Sequence, residues 1–250
     1  MNAYYNDIEP FCCDVLEARI ADGRIPAGKV DRRSITEVTP DDVAGFKQCH
    51  FFAGIGGFAY ACRLAGWPDD RAIWTAGFPC QDISTAGRGA GIKKGTRSGL
   101  WREIFRLIRN VRPPLVVFEN VPAIRTRGYD RIADAMARID YSVRSVVVGA
   151  WAVGATIIGD RAWILSEAEG DRRESWSMPI RTDAKVSNAA GVFGHRWPER
   201  PIEINRVPIA TDGIPKRLAW AGQARATDNA IVPQVAAAIL RAWMKTERAA

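Results

Sequence analysis

The sequence predicts an α/β fold built on a mostly parallel sheet, and three observations carry that expectation. Residues 72–76 (AIWTA) form a short apolar run stopped by Gly77, and residues 115–119 (LVVFE) form a second that ends in an acid. Short apolar runs bounded by Gly or Pro read as buried strands. Residues 48–52 form a third run, which a glycine-rich turn converts into the helical pattern of 58–65, the strand–turn–helix order of a parallel unit. The 250 residues allow one such domain with a small appendage.

Taken in order, residues 3–8 predict a short strand leading to Asp7, Ile8 and Glu9. Pro10 opens a helix where its missing N–H is harmless. Phe11, Val15, Leu16 and Ile20 keep helical spacing, and Gly23 caps the end. Residues 30–38 hold a further short strand, and Thr39-Pro40-Asp41-Asp42 starts a turn or brief helix. Gly66 ends the 58–65 helix. Ser98 is expected to cap a helix with Leu100, Trp101, Ile104, Phe105 and Ile108 on its apolar face and Arg102, Glu103, Arg106 and Arg109 opposite. Pro113 and Pro114 end it. Residues 129–139 predict a helix, and 142–148 and 162–165 predict strands. Residues 166–206 are polar, rich in Arg, Gly and Pro, and weakly periodic, as an insertion would be. Pro233 begins a last helix striped by Val235, Ala236, Ile239, Leu240 and Trp243.

Composition narrows the function. A net charge of +7 suits a polyanionic partner. The five cysteines are odd in number and contain no CxxC, and His50 and His195 are the only histidines. A zinc site and a disulfide framework are therefore not expected, and a reducing compartment is. The acidic, polar start (MNAYYNDIEP) does not resemble a signal peptide, and the longest uncharged run, 145–159, is too short and glycine-broken to span a bilayer.

Chemistry concentrates at the strand ends. Pro79 fixes its own φ and biases Phe78 toward extended geometry, which presents Cys80 at the carboxyl end of a strand, where open α/β sheets bind ligands. A glycine-rich basic segment containing Gly87, Gly89, Gly91 and Gly95 separates it from the strand ending in Glu119. A thiol, an acid and a lid between them make a site. At 52–57 stands FAGIGG, that is Phe52, Ala53, Gly54, Ile55, Gly56 and Gly57, whose glycines leave room for a ligand against the backbone. No acid-tipped strand follows at the distance a dinucleotide site needs, and no phosphate-binding lysine is present, so a sulfonium cofactor fits better.

With FAGIGG, the PCQ of 79–81 and the ENV of 119–121 in one chain, the sequence resembles the cytosine-C5 DNA methyltransferases over most of its length. The resemblance implies a Rossmann-like S-adenosylmethionine-dependent sheet. Residues 1–165 and 207–250 would form the catalytic and cofactor-binding domain, and 166–206 a small target-recognition region. In the family a strand tipped by a ribose-binding acid, and another supplying an adenine-binding Asp, stand between FAGIGG and PCQ. Here only a turn, 67–71, stands there. The strand ending in Asp7 and the 30–38 segment look like that pair moved to the front, a permuted strand order that a parallel sheet tolerates. Asp7 would then meet the ribose, Ile8 the adenine ring, and Asp31 or Ser34 the adenine amine, with Asn229 and Ala230 of TDNAIVPQ closing the pocket. The block should therefore lie beside and parallel to the 48–52 strand.

The resemblance also implies a mechanism. Cys80 would add to C6 of a flipped-out cytosine, Glu119 would hold its N3 and amino edge, and Arg161 its O2. Gln81, Ser84, Arg88, Lys93, Lys94 and Arg97 would meet double-stranded DNA. The expected protein is a cytoplasmic, nucleoid-associated monomer of bacterial or phage-encoded restriction–modification type, with no metal and no membrane. One departure matters. In the family's Q-x-R-x-R motif, Ile157 stands for the Gln and Gly159 for the first Arg. A catalytically weakened DNA-binding relative is thus an alternative to an active enzyme, and a tRNA cytosine methyltransferase is a third.

Overall fold

A computed structural model of the chain describes residues 2–80, 97–153, 159–168 and 230–247. The elements run β1 (Ala3–Asn6), α1 (Pro10–Ala21), β2 (Gly28–Asp31), α2 (Pro40–Val43), β3 (Gln48–Phe51), α3 (Gly57–Ala65), β4 (Ile73–Ala76), α4 (Trp101–Val111), β5 (Leu115–Asn120), α5 (Ile124–Arg127), α6 (Tyr129–Ala137), β6 (Tyr141–Gly149), β7 (Asp160–Ala168) and α7 (Pro233–Glu247).

One seven-stranded sheet has the order β2-β1-β3-β4-β5-β7-β6. β1 to β5 are mutually parallel, and β7 runs antiparallel between β5 and β6. The fold is therefore mixed α/β with a mostly parallel sheet. β1 lies beside β3 with Ala3 opposite Gln48 and Asn6 opposite Phe51, the placement the N-terminal block was expected to take.

Both faces of the sheet are covered, so its inner strands are buried throughout, with Leu115–Phe118 of β5 a continuous apolar run and Gln48 and His50 of β3 buried polar exceptions. Side chains alternate between two layers. Tyr4, Val116, Phe118 and Ile164 join Ile104, Leu107, Ile108, Ile132 and Met136 on the α4–α6 face. Leu115, Val117, Trp163 and Leu165 join Phe58, Ala61, Val235, Ile239 and Leu240 on the α3–α7 face. Tyr5 packs with Leu16 and Ala59, adding α1 to that second face.

Local chemistry sets the helix ends. Pro10 stands at the start of α1 as expected, and Gly23 takes φ +66° just past its end. Thr39 and Asp42 close a capping box on the one-turn α2. Some boundaries differ from expectation. Leu100, not Ser98, is the N-cap of α4, because a 3-10 turn over Arg97–Leu100 carries the chain into it. The 30–38 segment contributes only the end of β2, since Asp31 is immediately bound back by Arg33. β7 runs on to Ala168, so residues 166–168 belong to the sheet and not to the insertion.

Candidate active site

The carboxyl ends of β1, β3, β4 and β5 and the start of β7 all open on one edge of the sheet, as their register dictates. At β4 the chain leaves through Gly77-Phe78-Pro79-Cys80. Phe78 is buried edge-on against Phe118, with centroids 6.3 Å apart. Asn120 Nδ2 donates to the Phe78 carbonyl at 3.0 Å, clamping the segment to the end of β5. That clamp was not foreseen; its one sequence signal is an Asn directly after the strand-end acid.

Glu119 is buried, and its Oε1 forms an ion pair with Arg161 Nε at 3.0 Å. The register explains the pair. Glu119 lies opposite Trp163, and Arg161, two residues away on β7, projects from the same face. A Cβ on Gly77 would stand 3.5 Å from Glu119 Oε2, so the Cys80 segment passes close to the carboxyl. Burial pushes the Glu119 carboxyl up to about 7, and the Arg161 charge opposes that only in part. The half-buried Cys80 thiol is also pushed up, first by burial and then by the Glu119 charge, with Arg161 acting the other way. The two groups are coupled: a protonated Glu119 removes an anion that opposes the thiolate.

An unfolded chain releases the Glu119 proton near pH 4.5, whereas the folded protein keeps it to about 7. Stability therefore falls as pH rises between those values and stays lower above them. The shift corresponds to roughly 3 kcal/mol at most. Glu119→Gln is expected to melt higher than the parent at pH 8 and to lose that advantage by pH 4.5. Equal melting differences at both pH values would contradict the raised carboxyl.

The second half of the site lies at β3 and β1. Phe52, Gly54 and Gly56 all take left-handed backbone, with φ of 50°, 53° and 83°. For Phe52 that conformation is strained. Asp7 Oδ2 accepts from the Gly54 N–H at 2.7 Å, and Oδ1 from Glu9 N at 2.9 Å. Burial raises the Asp7 carboxyl against those bonds. Ile8 beside it is 68% exposed, and a Cβ on Gly54 would meet nothing within 4 Å. An acid, a bare apolar side chain and open space above a glycine thus lie together, which fits a nucleoside. Arg19 donates to the Ile55 carbonyl and ties α1 to this turn. From the C-terminal side, Ala230 packs on Cys12, Val15 and Ile55, and a Cβ on Gly57 would stand 2.8 Å from Ile231 Cγ1.

Of the anticipated residues, Cys80, Glu119 and Arg161 come together at one end, and Asp7, Ile8, 52–57 and Ala230 at the other. Asp31 is otherwise engaged: Tyr4 Oη donates to its Oδ2 at 2.7 Å, and Arg33 binds both oxygens. Burial alone would raise this carboxyl, but those bonds hold it down to about 2. Ser34, the other residue expected at the adenine amine, is bonded too: its Oγ stands 2.8 Å from Thr36 Oγ1 and accepts from Thr36 N at 3.3 Å. Gln81, Ser84, Arg88, Lys93, Lys94, Ile157, Asn229 and residues 169–206 lie outside the described residues, as does the side chain of Arg97. Among the described residues no cluster of three metal-binding side chains occurs, and no helix is long and apolar enough to cross a membrane.

The family model described as C-5 cytosine-specific DNA methylase matches residues 67–185. The type II methyltransferase M2.BsuMI of Bacillus subtilis (strain 168) is 53% identical over 75 residues, covering 27% of this chain and 19% of that protein. The type II methyltransferase M1.ScrFI of Lactococcus lactis subsp. cremoris is 33% identical over 100 residues, covering 38% and 25%. These matches thus span a quarter or less of the curated relatives' length. The crystal structure of the S. pombe Dnmt2 methyltransferase superposes with a TM-score of 0.45 at 14% identity, over 69% of this chain and 44% of that one.

Proposed function

We propose that the chain, whose residues 67–185 match the C-5 cytosine-specific DNA methylase family model, methylates C5 of a flipped-out cytosine in double-stranded DNA. The observation that carries the proposal is the buried Glu119, paired with Arg161 and poised near neutrality beside Cys80.

Cytosine C5 is a poor nucleophile until a thiolate adds to C6 and pushes electron density toward it. Cys80 is placed to form that S–C6 bond. Glu119, partly protonated at neutral pH, would give N3 a proton as the bond forms, and Arg161 would hold O2. Protonation of Glu119 serves twice, since it also relieves the field that raises the thiol. S-adenosylmethionine, held by Asp7, Ile8 and the 52–57 turn, would supply an electrophilic methyl group to C5. Water would then take the C5 proton, the ring double bond would re-form as Cys80 leaves as thiolate, and N3 would return its proton to Glu119. The target carbon cannot be reached in a duplex, so the base must be extruded, at a cost of a few kcal/mol.

Two measurements test this reading. Transfer of a labelled methyl group to duplex DNA, followed by bisulfite sequencing, should show 5-methylcytosine in a defined context. Methylation of RNA alone would overturn it. Asp7→Ala should weaken S-adenosylmethionine binding about tenfold or more, as expected when a charge-assisted hydrogen bond is lost, with DNA affinity unchanged. An unaltered calorimetric dissociation constant would place the ribose contact elsewhere. A second reading, a weakened enzyme that retains DNA binding, is favoured by Gly159, which offers no side-chain donor beside Arg161. Tight DNA binding with negligible turnover would select it.

A further inference from the structure

Trp151 is 40% exposed, one of few large apolar side chains left in solvent among the described residues. It sits in the 3-10 turn Ala150–Val153 that leaves the carboxyl end of β6, on the same sheet edge as Glu119 and Arg161. Ala150 and Val153 in that turn are buried, so the turn buries its small members and leaves its largest out. The exposed indole is held in place. Its Nε1 donates to Asp160 Oδ1 at 2.9 Å. Asp160 lies opposite Gly149 across β6 and β7. A Cβ on Gly149 would stand 2.4 Å from both Asp160 Oδ1 and Trp151 Nε1, so only glycine admits this arrangement. The Asp160 carbonyl in turn accepts from Arg161 NH1 at 3.0 Å, and Arg161 Nε binds Glu119.

The single polar atom of the ring is therefore satisfied within the protein, and the surface it turns to solvent is apolar ring. A flat ring, fixed in orientation and two contacts from the candidate catalytic pair, suits a flat partner with its own π-face. Resting on the function proposed above, we propose that Trp151 is a stacking platform for a nucleobase of the DNA substrate at the lip of the site, beside the extruded cytosine. Extrusion leaves neighbouring bases with an unstacked face, and an indole at the lip offers that face a replacement partner.

Fluorescence anisotropy with a duplex carrying the methylated context measures DNA affinity, and calorimetry measures S-adenosylmethionine affinity. Trp151→Ala is expected to weaken DNA binding about tenfold, within the range found on removing an aromatic from beneath a base, and to leave cofactor affinity unchanged. Trp151→Phe, which keeps a ring but loses the N–H, should bind DNA close to the parent. DNA binding by Trp151→Ala equal to the parent's would overturn the inference while leaving the proposed function standing. Equal losses in the Ala and Phe variants would also overturn it, because they would assign the effect to the Asp160 hydrogen bond. A parent protein that binds no DNA would overturn the proposed function, and this inference with it.

Discussion

Cys80→Ser is expected to lower methyl transfer by about a thousandfold or more, the order of loss that follows removal of a covalent nucleophile. Serine is nearly isosteric, but its hydroxyl is far less acidic than a thiol, and the environment at this strand end already opposes an anion through burial and the Glu119 charge. The fold should be unaffected, because Cys80 is only half-buried and the clamp from Asn120 to the Phe78 carbonyl does not involve its side chain. S-adenosylmethionine affinity should be unchanged. Turnover within tenfold of the parent would exclude Cys80 as the nucleophile.

Removal of residues 1–31 is expected to unfold the protein. Those residues hold β1, α1 and β2, and β1 is an inner strand hydrogen-bonded to β2 on one side and β3 on the other. Tyr4, Tyr5, Val15, Leu16 and Ile25 are fully buried. Each loses roughly 1.5–3 kcal/mol of burial, against a total stability of about 5–15 kcal/mol for a domain. The truncation also strips β3 of its neighbour and the Gly54 N–H of its Asp7 partner. Circular dichroism and urea titration should show no cooperative transition. A truncated chain that folds and still binds S-adenosylmethionine would show that the block is an appendage and not part of the sheet.

That second expectation rests on how legible the sheet was. Where a strand is buried on both faces and stopped by Gly, Pro or an acid, as at 72–77 and 115–119, its place could be read directly. The N-terminal strand was legible for a different reason: the turn at 67–71 is too short to hold a strand, and the 3–8 run alone combines strand character, a terminal acid and a following helix. Boundaries set by tertiary bonds were not legible. The α4 cap passed from Ser98 to Leu100 through a 3-10 turn, and β2 stopped at Asp31 because Arg33 and Tyr4 claim its carboxylate. The strand past Leu165 was missed because Ser166, Glu167 and Ala168 carry no apolar run; pairing with β6 and β5 holds them extended.

The site divides in the same way. Cys80, Glu119 and the 52–57 turn announce themselves by type and spacing. The pairing of Glu119 with Arg161 requires the register of an antiparallel strand joined from far along the chain. The roles of Asn120, Gly149 and Trp151 depend on contacts across strands that local pattern does not encode.

The covalent route through Cys80 is tested most directly by trapping it. Duplex DNA carrying 5-fluorocytosine at the sites found by bisulfite sequencing lets the S–C6 bond form and the methyl group arrive, but fluorine cannot leave C5 as the proton does. In the presence of S-adenosylmethionine, the parent protein should form a protein–DNA complex that survives denaturation, with the modified peptide mapping to Cys80, and Cys80→Ser should form none. Methylation of ordinary cytosine without any trapped complex, or a complex undiminished in Cys80→Ser, would contradict the mechanism.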